Sequence, residues 1–136
     1  NKEMFHSGNH QGEPGFREAI RSYLHSARGV NCSPEQIIVG AGSEYLLMLL
    51  SQILEGRHVI AMENPTYKQA YRVFQSLGYE VCPVEMDANG MEPELLAECG
   101  ANVAYVMPSH QFPTGIVMPV GRRQELLKWA QEAPDR

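Results

Sequence analysis

A chain of 136 residues has the length of one ordinary domain and is long enough to bury a core. Its 43% apolar and 20% charged residues suit a globular protein and exclude a disordered or fibrous one. The net charge of −5, with basic residues scattered along the chain, argues against a nucleic-acid surface on this segment.

No apolar run approaches the roughly 20 residues of a membrane span, and Asn1–Gly8 holds no apolar signal-peptide core. Cys32, Cys82 and Cys99 are odd in number and share no C-x-x-C spacing, so neither a disulfide framework nor a zinc site is indicated. A cytoplasmic protein is expected.

In chain order, Pro14–Ser26 places Phe16, Ala19, Ile20, Tyr23 and Leu24 at helical spacing. A turn at Arg28–Asn31 and a polar lead-in, Ser33–Gln36, precede Ile37-Ile38-Val39, which reads as a buried strand. Gly40-Ala41-Gly42 breaks it, Ser43 suits an N-cap, and Glu44–Leu54 is a strongly apolar helix. His58–Met62 is a strand and Tyr67–Leu77 a helix, with Tyr67, Ala70, Tyr71, Phe74 and Leu77 on one face. Glu80–Val84 follows as a strand, Asp87–Gly90 as a turn, Pro93–Cys99 as a short helix and Val103–Met107 as a strand. Pro108–Val120 is an irregular loop, and Gly121–Ala133 forms a last helix offering Leu126, Leu127 and Ala130 for packing. Alternating strands and helices predict an α/β fold of three layers, with a mostly parallel sheet, helices on both faces and right-handed crossovers.

In such sheets ligands bind beyond the C-terminal strand ends, where three loops fall here: Gly40–Ser43, Glu63–Tyr67 and Pro108–Gly115. The first runs into a helix N-terminus, where free amides and the helix dipole favour a phosphate; a tight turn capped by Ser43 would use the same residues. Gly40-Ala41-Gly42 followed by Glu63 imitates a dinucleotide fingerprint, but its third glycine position holds Tyr45, whose bulk opposes that reading. In the second loop, the Tyr67 ring suits the flat face of a planar cofactor, although its spacing equally suits the apolar stripe of Tyr71 and Phe74. The third, Pro108–Gly115, holds several polar side chains and two prolines, as functional loops tend to. His6 and His10 stand four apart in a Gly/Asn-containing segment, and no metal site is expected.

Four segments in order, Gln11–Leu24, Pro34–Leu47 (PEQIIVGAGSEYLL), Glu63–Tyr67 (ENPTY) and Pro108–Gly115 (PSHQFPTG), resemble fold-type-I aminotransferases. The last is most similar to the aminotransferase-like domain of MocR-type regulators in the GntR superfamily. The resemblance runs from about Gln11 to the final helix. It implies a partial large, pyridoxal 5'-phosphate-binding domain over residues 1–136. It also implies a sensor role for pyridoxal phosphate or an amine effector in a transcription regulator. A fragment of a genuine aminotransferase acting on an amino acid is the alternative. Gly42, Ser43 and the amide of Glu44 match the phosphate cup, and Tyr67 matches the residue stacked on the pyridine ring. Ser109, His110, Gln111 and Phe112 match the loop beside that ring. Phe112 stands where many aminotransferases place an asparagine on the cofactor's phenolic oxygen, leaving Gln111 or His110 as candidates for that contact.

The resemblance places the aspartate that pairs with the pyridine nitrogen, the lysine that bonds the cofactor and the substrate-carboxylate arginine beyond Arg136. Lys68 and Lys128 match no such motif. The segment by itself is therefore expected to be catalytically silent, with no catalytic residues and at most weak phosphate binding. A winged-helix domain contacting DNA is expected upstream, and exposed strand edges and helix faces suggest a homo-oligomer.

Overall fold

The computed structural model describes residues 7–54, 56 and 58–136, which fall into two compact units meeting in sequence at Leu46/Leu47. His6 lies outside the described residues; His10 is exposed, and no His, Cys, Asp and Glu cluster able to hold a metal occurs among the described residues.

In the first unit, α1 (Pro14–Arg28) opens with proline at its first position, where the missing N–H costs nothing. It ends at Gly29, whose φ of 66° allows its N–H to reach the carbonyl of His25 at 3.0 Å. The expected apolar stripe is only partly buried: Phe16 and Tyr23 are exposed, while Ile20 and Leu24 are half-buried. The buried side chain of α1 is Arg17. Its Nε donates to Gly12 O at 3.0 Å and its Nη1 to Pro34 O at 2.7 Å, so its charge is held by backbone carbonyls.

A single 3-10 turn, Pro34–Gln36, leads into Ile37–Val39, where the expected buried strand is not found. The backbone is extended at Ile37, but no ladder partner lies beside this segment among the described residues, and Ile38 is exposed. Val39 instead donates to Gln11 O at 2.9 Å, and the Gln11 side chain donates to Glu35 O at 2.7 Å. An apolar, β-branched run without a neighbouring strand remains a loop.

Helix α2 (Ser43–Ile53) crosses the boundary in sequence. The second unit then builds a four-stranded sheet in the order β3-β2-β1-β4. β1 (Val59–Asn64) is flanked by two parallel partners, β2 (Glu80–Asp87) and β4 (Val103–Tyr105). β3 (Gly90–Met91), absent from the expected elements, turns back antiparallel on β2 through Asp87–Gly90. The sheet is thus mostly parallel.

Strand alternation sends side chains to two faces. Ile60 and Met62 pack with Ala70 and Phe74 of α3 (Lys68–Ser76), and Val81, Val103 and Tyr105 border this cluster. Ala61 and Val84 pack on the other face with Leu96 of α4 (Pro93–Glu98) and with Leu126 and Trp129 of α5 (Val120–Gln131). α5 buries Trp129 where Leu127 was expected; Leu127 is exposed. Helices therefore cover both faces, as alternation required.

Candidate ligand-binding site

Because β1 and β4 run parallel in the register Ile60↔Val103 and Met62↔Tyr105, their following loops leave the same end of the sheet. The first loop, Glu63–Tyr67, delivers Tyr67 to the N-cap of α3 with extended backbone. The second begins at Val106 and runs to Pro119, and it carries Ser109, His110, Gln111 and Phe112. The rings of Tyr67 and Phe112 meet edge to face, with centroids 6.1 Å apart and planes at 86°. The two loops thus present one aromatic corner, with His110 and Phe112 exposed and Ser109 and Tyr67 half-buried.

Gln111 occupies a different place from its neighbours. It is 2% exposed, and its side chain is engaged within the two loops. Its Nε2 donates to Pro65 O at 2.8 Å, and its Oε1 accepts from Thr114 N at 3.1 Å and Thr114 Oγ1 at 2.6 Å. Its N–H donates to Ile116 O at 2.9 Å, which folds the loop tip back on itself. Of the two candidates for a contact with a bound ring, His110 is the one whose side chain faces solvent.

Three residues missing from the expected set complete the loops. Glu63 is 1% exposed, and its Oε2 accepts from Met107 N at 3.2 Å, two residues past the end of β4 at Tyr105. The Glu63 carboxyl is held above the usual carboxylate range by burial, with the Met107 N–H and the Gln111 side chain working the other way. Burial likewise raises the Tyr105 phenol, helped by the nearby Tyr67 and Glu63. Thr66 buries its Oγ1 without a partner. Arg123, one turn into α5, donates from Nη2 to Pro108 O and from Nε to Met118 O, each at 2.9 Å, joining the two ends of the loop. A carboxylate closing an apolar strand was the available signal for Glu63; Arg123 had none beyond its proximity to the loop.

The Gly40–Ser43 loop belongs to the first unit. Gly42 has a φ of 92°, a conformation L residues rarely adopt, and its carbonyl accepts from Leu46 N at 3.2 Å as α2 begins. Ser43 and Glu44 open this 11-residue helix and are both exposed, and its first amides have no acceptor within the helix itself. Gly40 must stay small: a Cβ there would lie 2.6 Å from the ring of Tyr45. Tyr45 thus covers the turn in the place where a dinucleotide fold needs a glycine, and Glu63 is buried rather than offered to a ribose.

Open amides at a helix start suit a phosphate, and an aromatic corner suits a planar ring. Each unit thus carries, taken by itself, one such feature, while the described lysines, Lys68 and Lys128, are both exposed on helices.

The model of the aminotransferase class I and II family matches residues 1–134. The chain belongs to that family. It is similar to an uncharacterized HTH-type transcriptional regulator, YdeL of Bacillus subtilis, with 40% identity over 130 residues covering 96% of this chain and 28% of that protein. The HTH-type pyridoxine biosynthesis transcriptional regulator PdxR of Corynebacterium glutamicum is 38% identical over 121 residues, covering 89% of this chain and 26% of that protein. Among solved structures, an archaeal alanine:glyoxylate aminotransferase superposes with a TM-score of 0.81 and 32% identity, over 90% of this chain and 33% of that one. The aminotransferase-family chain thus spans about a quarter of the length of the regulators it matches.

Proposed function

We propose that this aminotransferase-like chain is the effector-sensing part of a GntR/MocR-type transcription regulator, with pyridoxal phosphate as the group sensed or used to sense an amine. The observation that carries the reading is the 40% identity to an HTH-type regulator across 96% of the chain, which includes both loops of the site. PdxR, named for control of pyridoxine biosynthesis, supports a vitamin B6 ligand. The genuine aminotransferase remains the second reading, favoured by the fold of the archaeal enzyme.

In this reading the amides of Gly42, Ser43 and Glu44 receive the phosphate, Tyr67 lies against the ring, and Ser109–Phe112 border its edge. When bound, pyridoxal phosphate supplies an aldehyde that captures primary amines and an electron-withdrawing ring. The chain's own residues bind and orient; none is assigned a proton transfer, and no aminotransferase activity is expected from this segment. DNA contact is assigned to a winged-helix domain upstream, and the working form to a cytoplasmic homo-oligomer. No helix among the described residues is long and apolar enough to cross a membrane.

The test is fluorescence titration of the chain with pyridoxal phosphate, with inorganic phosphate as competitor, followed by operator binding of the longer regulator with and without the ligand. Saturable binding weakened about tenfold or more by Tyr67→Ala, together with ligand-dependent DNA binding, is expected. Transamination of an amino acid by the longer protein, with no affinity for DNA, would establish the enzyme reading instead.

A further inference from the structure

Two buried polar residues exchange hydrogen bonds between the site's loops. Glu63, at the root of the Tyr67 loop, holds the N–H of Met107 at the root of the other. Gln111, within that second loop, holds the carbonyl of Pro65 in the first. Each loop is therefore fastened by a side chain of its partner, and the Tyr67–Phe112 ring contact joins the same two loops. A tie of this kind needs only neutral groups, and a glutamine at position 63 would supply the same acceptor.

The carboxyl makes the pair unusual. Glu63 is almost fully buried, its Oε1 has no hydrogen-bond partner, and none of the ion pairs among the described residues includes it. The groups facing it are the Tyr105 phenol, the Gln111 amide and the Met107 N–H, with Tyr67 in turn near Tyr105. Arg123 from α5 reaches the same loop but is bound to Pro108 and Met118 carbonyls, and His110 is exposed. An ionised carboxylate here leaves Oε1 as an acceptor without a hydrogen bond, whereas a protonated one carries an O–H that needs an acceptor. The two states therefore favour different arrangements of the Gln111 side chain that faces it.

We infer that Glu63 is a positioning residue that sets the relative placement of the Tyr67 and Phe112 loops according to its protonation state. Resting on the ligand reading only for its consequence, the inference makes the aromatic corner narrower or wider with pH, independently of any bound molecule. Burial holds the carboxyl above the ordinary carboxylate range, so the change falls on the alkaline side of that range.

The test is a pH titration of the ligand-free chain by NMR, following the Glu63 carboxyl carbon and the amides of Met107 and Gln111–Ile116. Expected is one shared inflection, above the ordinary carboxylate range, across both loops. Glu63→Gln should abolish that inflection yet keep Met107 protected from hydrogen exchange, while Glu63→Ala should speed its exchange roughly tenfold. A shared inflection that survives in Glu63→Gln, or loop amides that ignore the Glu63 titration, overturns the inference. Titration with pyridoxal phosphate at pH values on either side of the inflection separates the two proposals. Failure to bind at any pH removes the ligand reading while the loop titration still decides the role of Glu63.

Discussion

The stretch up to Leu46 and the unit from Leu47 onward solve the same problem by different means. The sheet unit buries apolar side chains on both faces, with Ile60, Ala61, Ala70 and Leu96 all at 0% exposure. The first unit leaves Phe16, Tyr23 and Ile38 in solvent and buries an arginine, relying on Arg17 and Gln11 bonded to carbonyls. Apolar content therefore does not decide what holds a segment; the availability of a partner surface does. Where a neighbouring strand or helix is present, burial contributes about 25 cal/mol per Å². Where none is, directed hydrogen bonds to the backbone define the shape, each contributing about 1 kcal/mol net.

The sharpest way to break this contrast is Phe74→Ala. Phe74 is 1% exposed between Tyr79 and Tyr105, with ring centroids 5.5 and 5.7 Å away, and its removal is expected to cost about 3–5 kcal/mol in chemical denaturation. A loss below 1 kcal/mol would show that the sheet core does not dominate. Next is Arg17→Ala, which strands the Gly12 and Pro34 carbonyls and should cost roughly 1–3 kcal/mol, seen as faster hydrogen exchange at Val39. Arg17→Met, which keeps the bulk and removes the donors, should behave like alanine if the bonds matter and like wild type if packing does.

A smaller, pH-dependent effect is expected at the β2–β3 turn. Hydrogen bonds from Arg122 and from the Asn89 N–H, with the Arg122 charge, hold the Asp87 carboxyl below its ordinary value. Its folded value is depressed, so the stabilisation is present above the unfolded value and fades as pH falls through the folded one. Asp87→Asn should remove that acid-side loss, and added salt should shrink the difference, because Asp87 is partly exposed. Smallest of all, Phe16→Ser should change stability by no more than about 0.5 kcal/mol by the same denaturation assay. A larger loss would mean that α1 does have an apolar partner.

Much of the sheet unit was legible because its local patterns agree with its packing. β1, α3, β2 and α4 start or stop within three residues of their expected bounds, and the Ala70–Phe74 face is buried as its spacing implied. Both loops of the site were also visible as polar breaks after strands. Most of the failures share one cause, which is that a residue's partner lies far away in sequence or is absent. Ile37–Val39 looks like a strand, but strand formation requires a neighbour that sequence spacing cannot supply. Arg17 sits in an apolar helix face and is buried because Pro34 O lies 17 residues away in the chain. Met107, two residues past the end of β4, donates to the carboxylate of Glu63, 44 residues earlier. β3 contributes only two residues, too few for any periodic signal.

Arg123 has a consequence for how this protein can change over time. With Met118 N bonded to Pro108 O at 2.9 Å and the Arg123 guanidinium spanning both carbonyls, the segment between them is closed at its base. The entropy of bringing its ends together is met by the scaffold, and each doubling of such a segment's length costs only about 0.6 kcal/mol. Exposed residues of this segment such as His110 and Val117 can therefore be exchanged while the sheet beneath them keeps its form, whereas buried Gln111 holds Pro65 O and must stay. A lineage carrying this clasp can retune what it recognises by editing a few exposed positions and leaving its architecture alone.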